Sequence, residues 1–262
     1  MFDLAGRTAL VTGARGGIGR ATALALADAG ADLVLWGREA LPAQHSGAAR
    51  PAGQSLADVA AQIQARGRAA SVVCADLDDA EVVREAAHRV LDRHEVDILV
   101  NNAGTIRRAP AAETTYADWR AVLDVNLDAV FLLCQLFGAP MRERGGGKIV
   151  NVASLLSFQG GVRVPAYAAS KHGVAGLTKA LANEWAGVGV NVNAIAPGYI
   201  GTANTAALRA DPRREPEIST RIPAGRWGEP EDVAGAVVFL AAPASDYVHG
   251  HVLVVDGGWM AR

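Results

Sequence analysis

The feature that most constrains this chain is a repeated alternation of short apolar runs with longer helical patterns. Strands separated by helices are typical of a parallel sheet covered by helices on both faces, because each crossover packs back onto the sheet. We therefore predict an α/β fold over residues 1–262, a single-domain, Rossmann-type, doubly wound parallel sheet of about seven strands. The predicted strands cover residues 7–11, 32–36, 69–75, 97–100, 148–153, 190–196 and 251–255.

Two long segments of the sequence lack this alternation. Residues 37–54 follow the second predicted strand and are rich in Pro, Gly, Ala and Ser, which predicts a loop insertion. Residues 203–228 are polar and Arg-rich, and three prolines interrupt them. Because long loops inside compact domains often cover active sites, we predict that 203–228 is a substrate lid. The predicted helices run up to residue 29 and over 55–66, 79–93, 117–144, 165–185 and 230–242.

The composition restricts the class of protein. The chain has 262 residues, of which 50% are hydrophobic and 20% charged, as in a compact globular domain. Its formal net charge of −2 gives no reason to expect nucleic acid or a membrane surface as a partner. Cys74 and Cys134 lie in apolar stretches, which predicts two buried thiols and a reducing, cytoplasmic location. We see no signal peptide, and the apolar stretch 234–244 is too short to span a bilayer.

A glycine-rich turn lies between the first predicted strand and the first predicted helix. It runs from Thr12 to Gly19 and places Gly13, Gly17 and Gly19 in a G-x-x-x-G-x-G pattern. Glycines let the backbone approach a ligand closely, and a helix N-terminus offers free N–H groups to a pyrophosphate. In this position the motif predicts a dinucleotide phosphate site, the alternative being an ordinary glycine-rich turn.

Other polar motifs also follow predicted strands. Asn101-Asn102-Ala103-Gly104 follows the fourth strand, Ser154 the fifth, and the loop Pro197 to Thr202 the sixth. Asp76 ends the third strand, where it either accepts a bond from an adenine amino group or caps the next helix. Ligands of open parallel sheets bind beyond the carboxyl ends of the strands. We therefore predict that these motifs line one site together with Thr12.

Tyr167 and Lys171 lie four residues apart on a predicted helix, so their side chains share one face. Free tyrosine has a pKa of about 10 and is a poor base, but a nearby ammonium group favours the phenolate. The pair therefore predicts proton exchange with an alcohol or ketone, the alternative being a surface Tyr and Lys on an amphipathic helix. Asn126 lies among apolar residues of another helix and is either a satisfied core amide or a site residue.

From Thr12 to Gly258, these motifs together resemble those of the short-chain dehydrogenase/reductase family. The resemblance implies a nicotinamide-dependent oxidoreductase that interconverts a secondary alcohol and a ketone. It implies catalytic roles for Asn126, Ser154, Tyr167 and Lys171. The cofactor site that it implies consists of Gly13, Arg15, Gly17, Ile18, Gly19, Arg38, Asp76, Leu77, Asn102, Ala103, Gly104, Tyr167, Lys171, Pro197, Gly198, Ile200 and Thr202.

The family's mechanism gives each of these four residues a task. Tyr167 is the acid/base, and Lys171 lowers its pKa and bonds the nicotinamide ribose. Ser154 holds the substrate oxygen and stabilises its developing charge. Asn126 supports a water that relays protons past Lys171.

Residues 101–108, 156–165 and 222–228 resemble more closely those members of the family that act on sugar acids. This predicts a substrate of the 2-deoxy-gluconate or keto-deoxy-gluconate type, bound by Arg107, Gln159 and Arg163. Arg108 and Arg226 are further candidates, because a guanidinium group pairs bidentately with a carboxylate; the alternative for each arginine is a solvated surface position. Two other functions stay open, a 3-oxoacyl carrier-protein reductase and a non-catalytic cofactor-binding scaffold.

The residues after the second strand bear on the choice of cofactor. A carboxylate at that strand end would bond the adenosine ribose and repel a 2′-phosphate, but the sequence has Gly37 followed by Arg38. Arg15 lies inside the glycine turn, and the two arginines favour NADP(H) through charge-assisted bonds. NAD(H) stays the alternative: Arg15 can point to solvent, Arg38 can pair with Glu39, and the insertion can supply an acidic residue such as Asp58 from nearby.

Assembly and metal binding are the remaining expectations. The helices around Asn126 and Tyr167 are apolar on more than one face, and the family usually pairs these helices between subunits. With Trp259 and Met260 at an otherwise exposed end of the chain, this predicts a homotetramer. His249 and His251 alternate as metal ligands on a strand can, but no third ligand accompanies them, so we predict no catalytic metal.

Overall fold

The structure is a computed structural model that describes residues 1–38 and 55–262. The predicted insertion at 37–54 therefore lies outside the described residues, apart from Gly37 and Arg38. The strands are β1 (Thr8–Thr12), β2 (Asp32–Gly37), β3 (Ala70–Cys74), β4 (Ile98–Asn101), β5 (Gly147–Val152), β6 (Val190–Pro197) and β7 (Val252–Val255). The helices are α1 (Gly17–Asp28), α2 (Leu56–Gln64), α3 (Ala80–Leu91), α4 (Tyr116–Leu123), α5 (Ala129–Arg144), α6 (Pro165–Trp185), α7 (Ala206–Arg209), α8 (Arg214–Arg221) and α9 (Pro230–Ala241).

In the described part of the chain, seven strands form one parallel sheet in the order β3-β2-β1-β4-β5-β6-β7. The strand order reverses between β1 and β4, where the chain switches from one side of the sheet to the other. Such a switch point leaves a crevice beyond the carboxyl ends of the two strands. The predicted fold class, a doubly wound parallel sheet, is confirmed.

Helices cover both faces of the sheet, and each face has its own buried cluster. On one face, Leu26 of α1, Ile63 of α2 and Leu240 of α9 pack against the strands. On the other, Phe137 of α5 and Trp185 of α6 pack with residues of α3. Because the central strands are covered on both faces, β1, β4 and β6 are apolar along most of their length.

The helix predicted over 117–144 is interrupted in the middle. A π-helical turn, Asp124–Asp128, lies between α4 and α5, and the N–H of Ala129 donates to the carbonyl of Asp124. Such turns contain one residue more than an α-helical turn and often occur at functional positions. The fully buried Asn126 lies at the centre of this turn.

Residues 203–228 are not the continuous loop that the prolines indicated. Two short helices, α7 and α8, lie inside this segment. Pro216 is the third residue of α8, where a proline is tolerated because the first-turn N–H groups have no intrahelical partner. The predicted irregular structure is therefore wrong for α7 and α8.

Cys134 is buried as predicted, but Cys74 is exposed, and both thiols are free. Cys74 ends β3, which is an edge strand of the sheet. The apolar neighbours of Cys74 indicated a strand correctly, but an edge strand is covered less completely than a central one. The prediction of two buried thiols is thus wrong for Cys74.

By length and composition alone, the combined helix Tyr116–Arg144 could cross a membrane. Half of its most apolar window is buried inside the protein, where Phe137 and Met141 contact the sheet. A core helix of a globular fold passes the same test, so the segment gives weak support for a membrane span.

Candidate active site

The glycine turn after β1 has the geometry of a phosphate cradle. Gly13 and Gly17 have φ angles of 66° and 52°, in the left-handed region that glycine favours. A Cβ atom on Gly19 would lie 2.3 Å from the carbonyl oxygen of Gly13 and 2.4 Å from Nδ2 of Asn102, so only glycine fits there. No side chain caps α1, and its first N–H groups remain available for an anion. Ile18 and Arg15, both half-buried, complete the turn.

The Thr12 hydroxyl joins this turn to the end of β4. It accepts hydrogen bonds from the N–H groups of Asn102 and Ala103, at 3.0 and 2.9 Å. In return, Nδ2 of Asn102 donates to the carbonyl of Thr12 at 2.8 Å. The ends of β1 and β4 are therefore fixed relative to one another at the switch point of the sheet. The sequence indicated that Thr12 belongs to the site but not that its hydroxyl makes these bonds.

The loop after β6 reaches the same turn. Pro197 ends β6, and a Cβ atom on Gly198 would lie 2.6 Å from Cα of Asp256. Ile200 is buried and pairs with Gly228 in an isolated bridge. A Cβ atom on Gly17 would lie 3.2 Å from the methyl group of Thr202. The structure thus brings the predicted residues of this loop to the predicted phosphate site.

Asn126 is fully hydrogen-bonded within the site. Its side-chain oxygen accepts from the N–H of Thr105 at 2.8 Å, and its Nδ2 donates to the carbonyl of Thr105 and to Oγ of Ser170. A Cβ atom on Gly104 would lie 3.4 Å from Oδ1 of Asn126 and 3.9 Å from Nζ of Lys171. Asn126 therefore satisfies the core-amide interpretation and also lies beside the lysine of the site. Nothing in the sequence indicated that Thr105 and Ser170 would be its partners.

Ser154, Tyr167 and Lys171 converge just beyond the end of β5. Ser154 lies two residues after β5, and its side chain is close enough to the Tyr167 hydroxyl to lower the pKa of that phenol. Lys171 is buried, its Nζ donates to the carbonyl of Val152 at 2.6 Å, and this nitrogen lies 5.6 Å from the centre of the Tyr167 ring. Helix α6 begins at Pro165, so Tyr167 lies in its first turn. The surface interpretation of this Tyr–Lys pair is therefore wrong.

The environment affects the pKa values of both groups. Burial raises the pKa of Tyr167, while the hydrogen bond from Ser154 and the positive charge of Arg108 lower it. Burial lowers the pKa of Lys171 from 10.5 to about 8. Nζ of Lys171 lies 5.6 Å from the centre of the Tyr167 ring, and the lowering of the Tyr167 pKa by Lys171 stays a prediction.

The arginines after β4 differ in their surroundings. Arg107 and Arg108 line a cavity of about 180 Å³ that also contacts Pro165 at the start of α6. Nε of Arg107 lies 3.7 Å from Oδ1 of Asp118, so this guanidinium has a carboxylate neighbour within the chain. Nη2 of Arg108 donates to the carbonyl of Asn204 at 3.1 Å, which joins the loop after β4 to the 203–228 segment.

The other predicted substrate residues lie on the segment before α6. Arg163 is exposed and has a φ angle of 65°, the one left-handed non-glycine residue in the described ranges. Its carbonyl accepts the N–H of Ala109 at 3.0 Å, so the segment is joined to the loop that carries Arg108. Gln159 is half-buried at the end of the short turn after Ser154. Arg226 forms a bidentate pair with Asp232 at 2.6 and 2.9 Å, which occupies its guanidinium.

At the adenosine end of the predicted cofactor site, the described residues Arg38 and Asp76 form an ion pair. Nη1 of Arg38 lies 3.5 Å from Oδ2 of Asp76, and Oδ1 of Asp76 accepts the N–H of Leu77. Asp79, not Asp76, caps α3 by accepting from the N–H groups of Glu81 and Val82. The capping alternative for Asp76 is therefore wrong. The alternative pairing with Glu39 lies outside the described residues.

Neither histidine of the last strand region belongs to a metal cluster. Nε2 of His249 is hydrogen-bonded to Asn191, and the N–H of His251 donates to Asn193. Across residues 1–38 and 55–262, no three His, Cys, Asp or Glu side chains lie close enough to hold a metal ion. These histidines pack the turn before β7 against β6.

Comparison with known proteins gives a consistent result. Residues 13–260 match the model of a short-chain dehydrogenase family described as enoyl-(acyl carrier protein) reductase. The chain is 50% identical to the 2-dehydro-3-deoxy-D-gluconate 5-dehydrogenase of Bacillus subtilis (strain 168), over 100% of this chain and 97% of that protein.

Two solved structures are also similar. One is from Beutenbergia cavernae and holds NADP at low occupancy; its TM-score is 0.93 at 55% identity, covering 100% and 99% of the two chains. The other is a gluconate 5-dehydrogenase from Burkholderia cenocepacia J2315 in complex with NADP and tartrate; its TM-score is 0.90 at 39% identity, covering 100% and 98%.

A doubly wound sheet with a glycine cradle and a Ser–Tyr–Lys group beyond its carboxyl edge defines a dinucleotide-dependent oxidoreductase. The chain belongs to the short-chain dehydrogenase/reductase family. It is an NAD(P)-dependent enzyme that acts on CH–OH groups, and its family resemblance is confirmed.

Proposed function

We propose that this enzyme interconverts a secondary alcohol and a ketone on a sugar acid of the 2-dehydro-3-deoxy-gluconate or gluconate type, with NADP(H) as cofactor. The observation that carries the proposal is the position of Arg108. Its guanidinium lines the cavity at the start of α6 and is close enough to Tyr167 to lower the pKa of that phenol. The Arg108 guanidinium can therefore bind a substrate carboxylate while the reacting carbon of the same substrate lies near Tyr167. The names of the similar proteins support the same substrate class.

The four residues of the site have complementary roles. The cofactor supplies or accepts the hydride when bound, and the protein supplies position and charge. Tyr167 holds the proton that is exchanged with the substrate oxygen, and Ser154 donates a hydrogen bond to that oxygen. Lys171 would bond the ribose of the bound cofactor, and Asn126, beside it, would support a relay of protons.

Arg107, Arg108 and Arg226 differ in how available their guanidinium groups are to a substrate carboxylate. Arg107 has Asp118 near its guanidinium and Arg226 has Asp232, whereas Arg108 bonds only to a backbone carbonyl among the described residues. A guanidinium that already pairs with a carboxylate is a weaker ligand for a second one. We therefore assign the substrate carboxylate first to Arg108. Arg163 and Gln159, on the facing segment, contact the rest of the sugar chain.

NADP(H) is favoured over NAD(H) by the two arginines of the adenosine end. Within residues 1–38 and 55–262, the Arg38 side chain is more than half exposed and its contact with Asp76 is long, at 3.5 Å, so the guanidinium can turn to a 2′-phosphate. Arg15 lies in the glycine turn after β1. The similar structures that hold NADP support this choice. Arg38→Ala should weaken NADPH binding by roughly 1.5–3 kcal/mol and leave NADH binding nearly unchanged.

A substrate screen tests the proposed function. Keto-deoxy-gluconates and 5-ketogluconate are compared with neutral cyclic ketones of similar size, with NADPH and NADH in turn, by nicotinamide absorbance. We expect the sugar acids to have the higher kcat/KM, and Arg108→Met to remove that preference. A preference for the neutral ketones contradicts the proposal.

A 3-oxoacyl carrier-protein reductase is the second candidate, because the matching family model is described by a carrier-protein substrate. Such an enzyme needs a basic surface for an acidic carrier protein, whereas this chain has a net charge of −2. Turnover of acetoacetyl thioesters at a higher kcat/KM than sugar acids favours this second candidate.

We also propose a homotetramer, located in the cytoplasm, where the free thiols stay reduced. The side chain of Phe131 on α5 is 45% exposed, and Ala169 and Gly176 on α6 leave an exposed surface of small residues. Trp259 does not add to this argument, since it is buried against Tyr199 and Ile222 of its own chain. Light scattering that shows a monomer at micromolar concentration contradicts the tetramer.

A further inference from the structure

Arg120 forms a bridge across the π turn that carries Asn126. Its Nη2 donates to Asp124, the first residue of the turn, and to Oδ2 of Asp128, the last, at 2.7 Å for the latter. The three side chains are between 30% and 50% exposed and lie on the outer surface of the helix, away from the buried Asn126. The two ion pairs hold Arg120 charged, and the bond to Asp128 is the largest of the effects that raise its pKa.

The two ion pairs depend differently on the helical register. In a regular α-helix each residue is rotated by about 100° around the helix axis relative to the one before it. Measured from Arg120, a residue four positions later therefore lies about 40° around the axis, and a residue eight positions later about 80°. A π turn accommodates one extra residue, so the residues after it are rotated back by about 100° relative to the α register. Asp128, eight positions after Arg120, then lies at about −20°, on nearly the same face as Arg120. The pair with Asp124 can therefore form in either register, whereas the pair with Asp128 favours the π register.

The register of this turn determines where Asn126 points. Asn126 bonds both polar groups of Thr105 and the hydroxyl of Ser170, and it lies beside Gly104 close to Lys171. A return to the α register would rotate the part of the helix beyond the turn by about 100° relative to α4. The bonds of Asn126 to the loop after β4 could not all survive such a rotation.

We propose that Arg120 is a positioning residue, which selects the π register through Asp128 and so holds Asn126 beside Lys171. This inference rests on the proposed role of Asn126 in proton transfer. Arg120 touches neither substrate nor cofactor in this scheme; its effect on turnover is transmitted through Asn126. The ion pair with Asp128 favours the π register over the α register. The ion pair with Asp124 can form in either register and mainly holds the Arg120 guanidinium in place.

Asp128→Asn and Asp124→Asn form a matched pair for the test, with Arg84→Met as a surface control that removes an i,i+3 pair with Glu81. We expect Asp128→Asn to lower kcat by roughly two- to fivefold, the modest range that exposed ion pairs allow. The KM of a sugar acid that the wild-type enzyme turns over and the Kd of NADPH should not change. Hydrogen exchange should become faster in peptides covering 124–130. Asp124→Asn, although it removes the less exposed pair, should lower kcat less.

A double-mutant cycle separates positioning from general stability. Arg120→Met should lower kcat in the wild-type background and have no further effect on kcat in Asn126→Ala, while its effect on Tm is the same in both. A wild-type kcat for Asp128→Asn, an equal loss for Asp124→Asn, or the same fractional loss of kcat from Arg120→Met in both backgrounds overturns the inference. If Asn126→Ala itself keeps the wild-type kcat, it is the proposed role of Asn126 that fails.

Discussion

Lys171→Met should produce an enzyme that is more stable than the wild type and inactive. Lys171 is 4% exposed, and burial lowers its pKa from 10.5 to about 8. That difference in pKa means that the buried, charged lysine lowers the free energy of unfolding by about 3 kcal/mol at neutral pH. Methionine has a similar length and carries no charge. The lost bond from Nζ to the carbonyl of Val152 offsets part of the gain, which leaves a net increase in the free energy of unfolding of about 1–2 kcal/mol at pH 7.

The sign of the pH dependence follows from the lowered pKa. Below pH 8, Lys171 is charged in both the folded and the unfolded state, and its full destabilising effect is present. Between pH 8 and 10.5, the folded state loses the proton while the unfolded state keeps it, so the wild-type protein gains stability relative to the variant. The advantage of Lys171→Met should therefore decrease by about 2 kcal/mol between pH 7 and pH 9.5.

Urea unfolding at the two pH values measures this difference directly. Lys179→Met is the matched control, because Lys179 is exposed on the same helix. We expect the control to show no comparable pH-dependent difference from the wild type. A Lys171→Met variant that is less stable than the wild type at pH 7, or whose advantage is the same at both pH values, would show that burial of the Lys171 ammonium does not destabilise the fold.

Three further outcomes follow from the structure. Gly19→Ala should abolish NADPH binding measured by calorimetry, because its Cβ would lie 2.3 Å from the carbonyl oxygen of Gly13; wild-type affinity would contradict the cradle geometry. Arg163→Gly should raise the free energy of unfolding by about 0.5–1 kcal/mol, since glycine adopts the φ of 65° without strain; lower stability would show that the arginine side chain supports the fold. A thiol reagent should modify one cysteine per chain in the native enzyme and two in denaturant, because Cys74 is exposed while burial raises the pKa of Cys134 to about 12; a Cys134 that reacts at the rate of Cys74 would contradict this burial.

The sequence was sufficient for the parts of this enzyme whose signal is local. Apolar runs followed by helical patterns predicted the sheet, because each βα unit carries its own periodicity and its own turn residues. The glycine turn, the Asn101–Gly104 motif and the Tyr167–Lys171 spacing lie at strand ends or on one helix face, so the sheet topology alone brings them together.

What the sequence could not predict depends on contacts between distant segments. The π turn around Asn126 depends on the distant residues Thr105 and Ser170 as well as on the ion pair between Arg120 and Asp128. In the sequence this turn could not be told from a continuous helix, because the i,i+4 pair of Arg120 with Asp124 suits an ordinary α-helix equally well. Likewise, Arg107 and Arg108 are adjacent in sequence and equivalent as motifs. Only the fold shows that Asp118 lies near the first and Asn204 contacts the second.

Cys74 and Trp259 illustrate the same limitation for burial. Cys74 lies in an apolar strand, but its strand is at the edge of the sheet, so the thiol is exposed. Trp259 lies near residue 262, yet Arg221 stacks 3.9 Å from its ring centre and Tyr199 packs against it. Exposure depends on which segments cover a residue, and those segments are far away in sequence.

Replacement of the Tyr167 hydroxyl tests whether this residue exchanges the proton with the substrate oxygen. Tyr167→Phe is compared with the wild type for NADPH affinity by fluorescence and for single-turnover reduction of a keto-deoxy-gluconate. The account predicts nearly unchanged NADPH binding and a rate lower by roughly 10²–10⁴-fold, the usual contribution of a positioned acid or base. A single-turnover rate close to that of the wild type would contradict it.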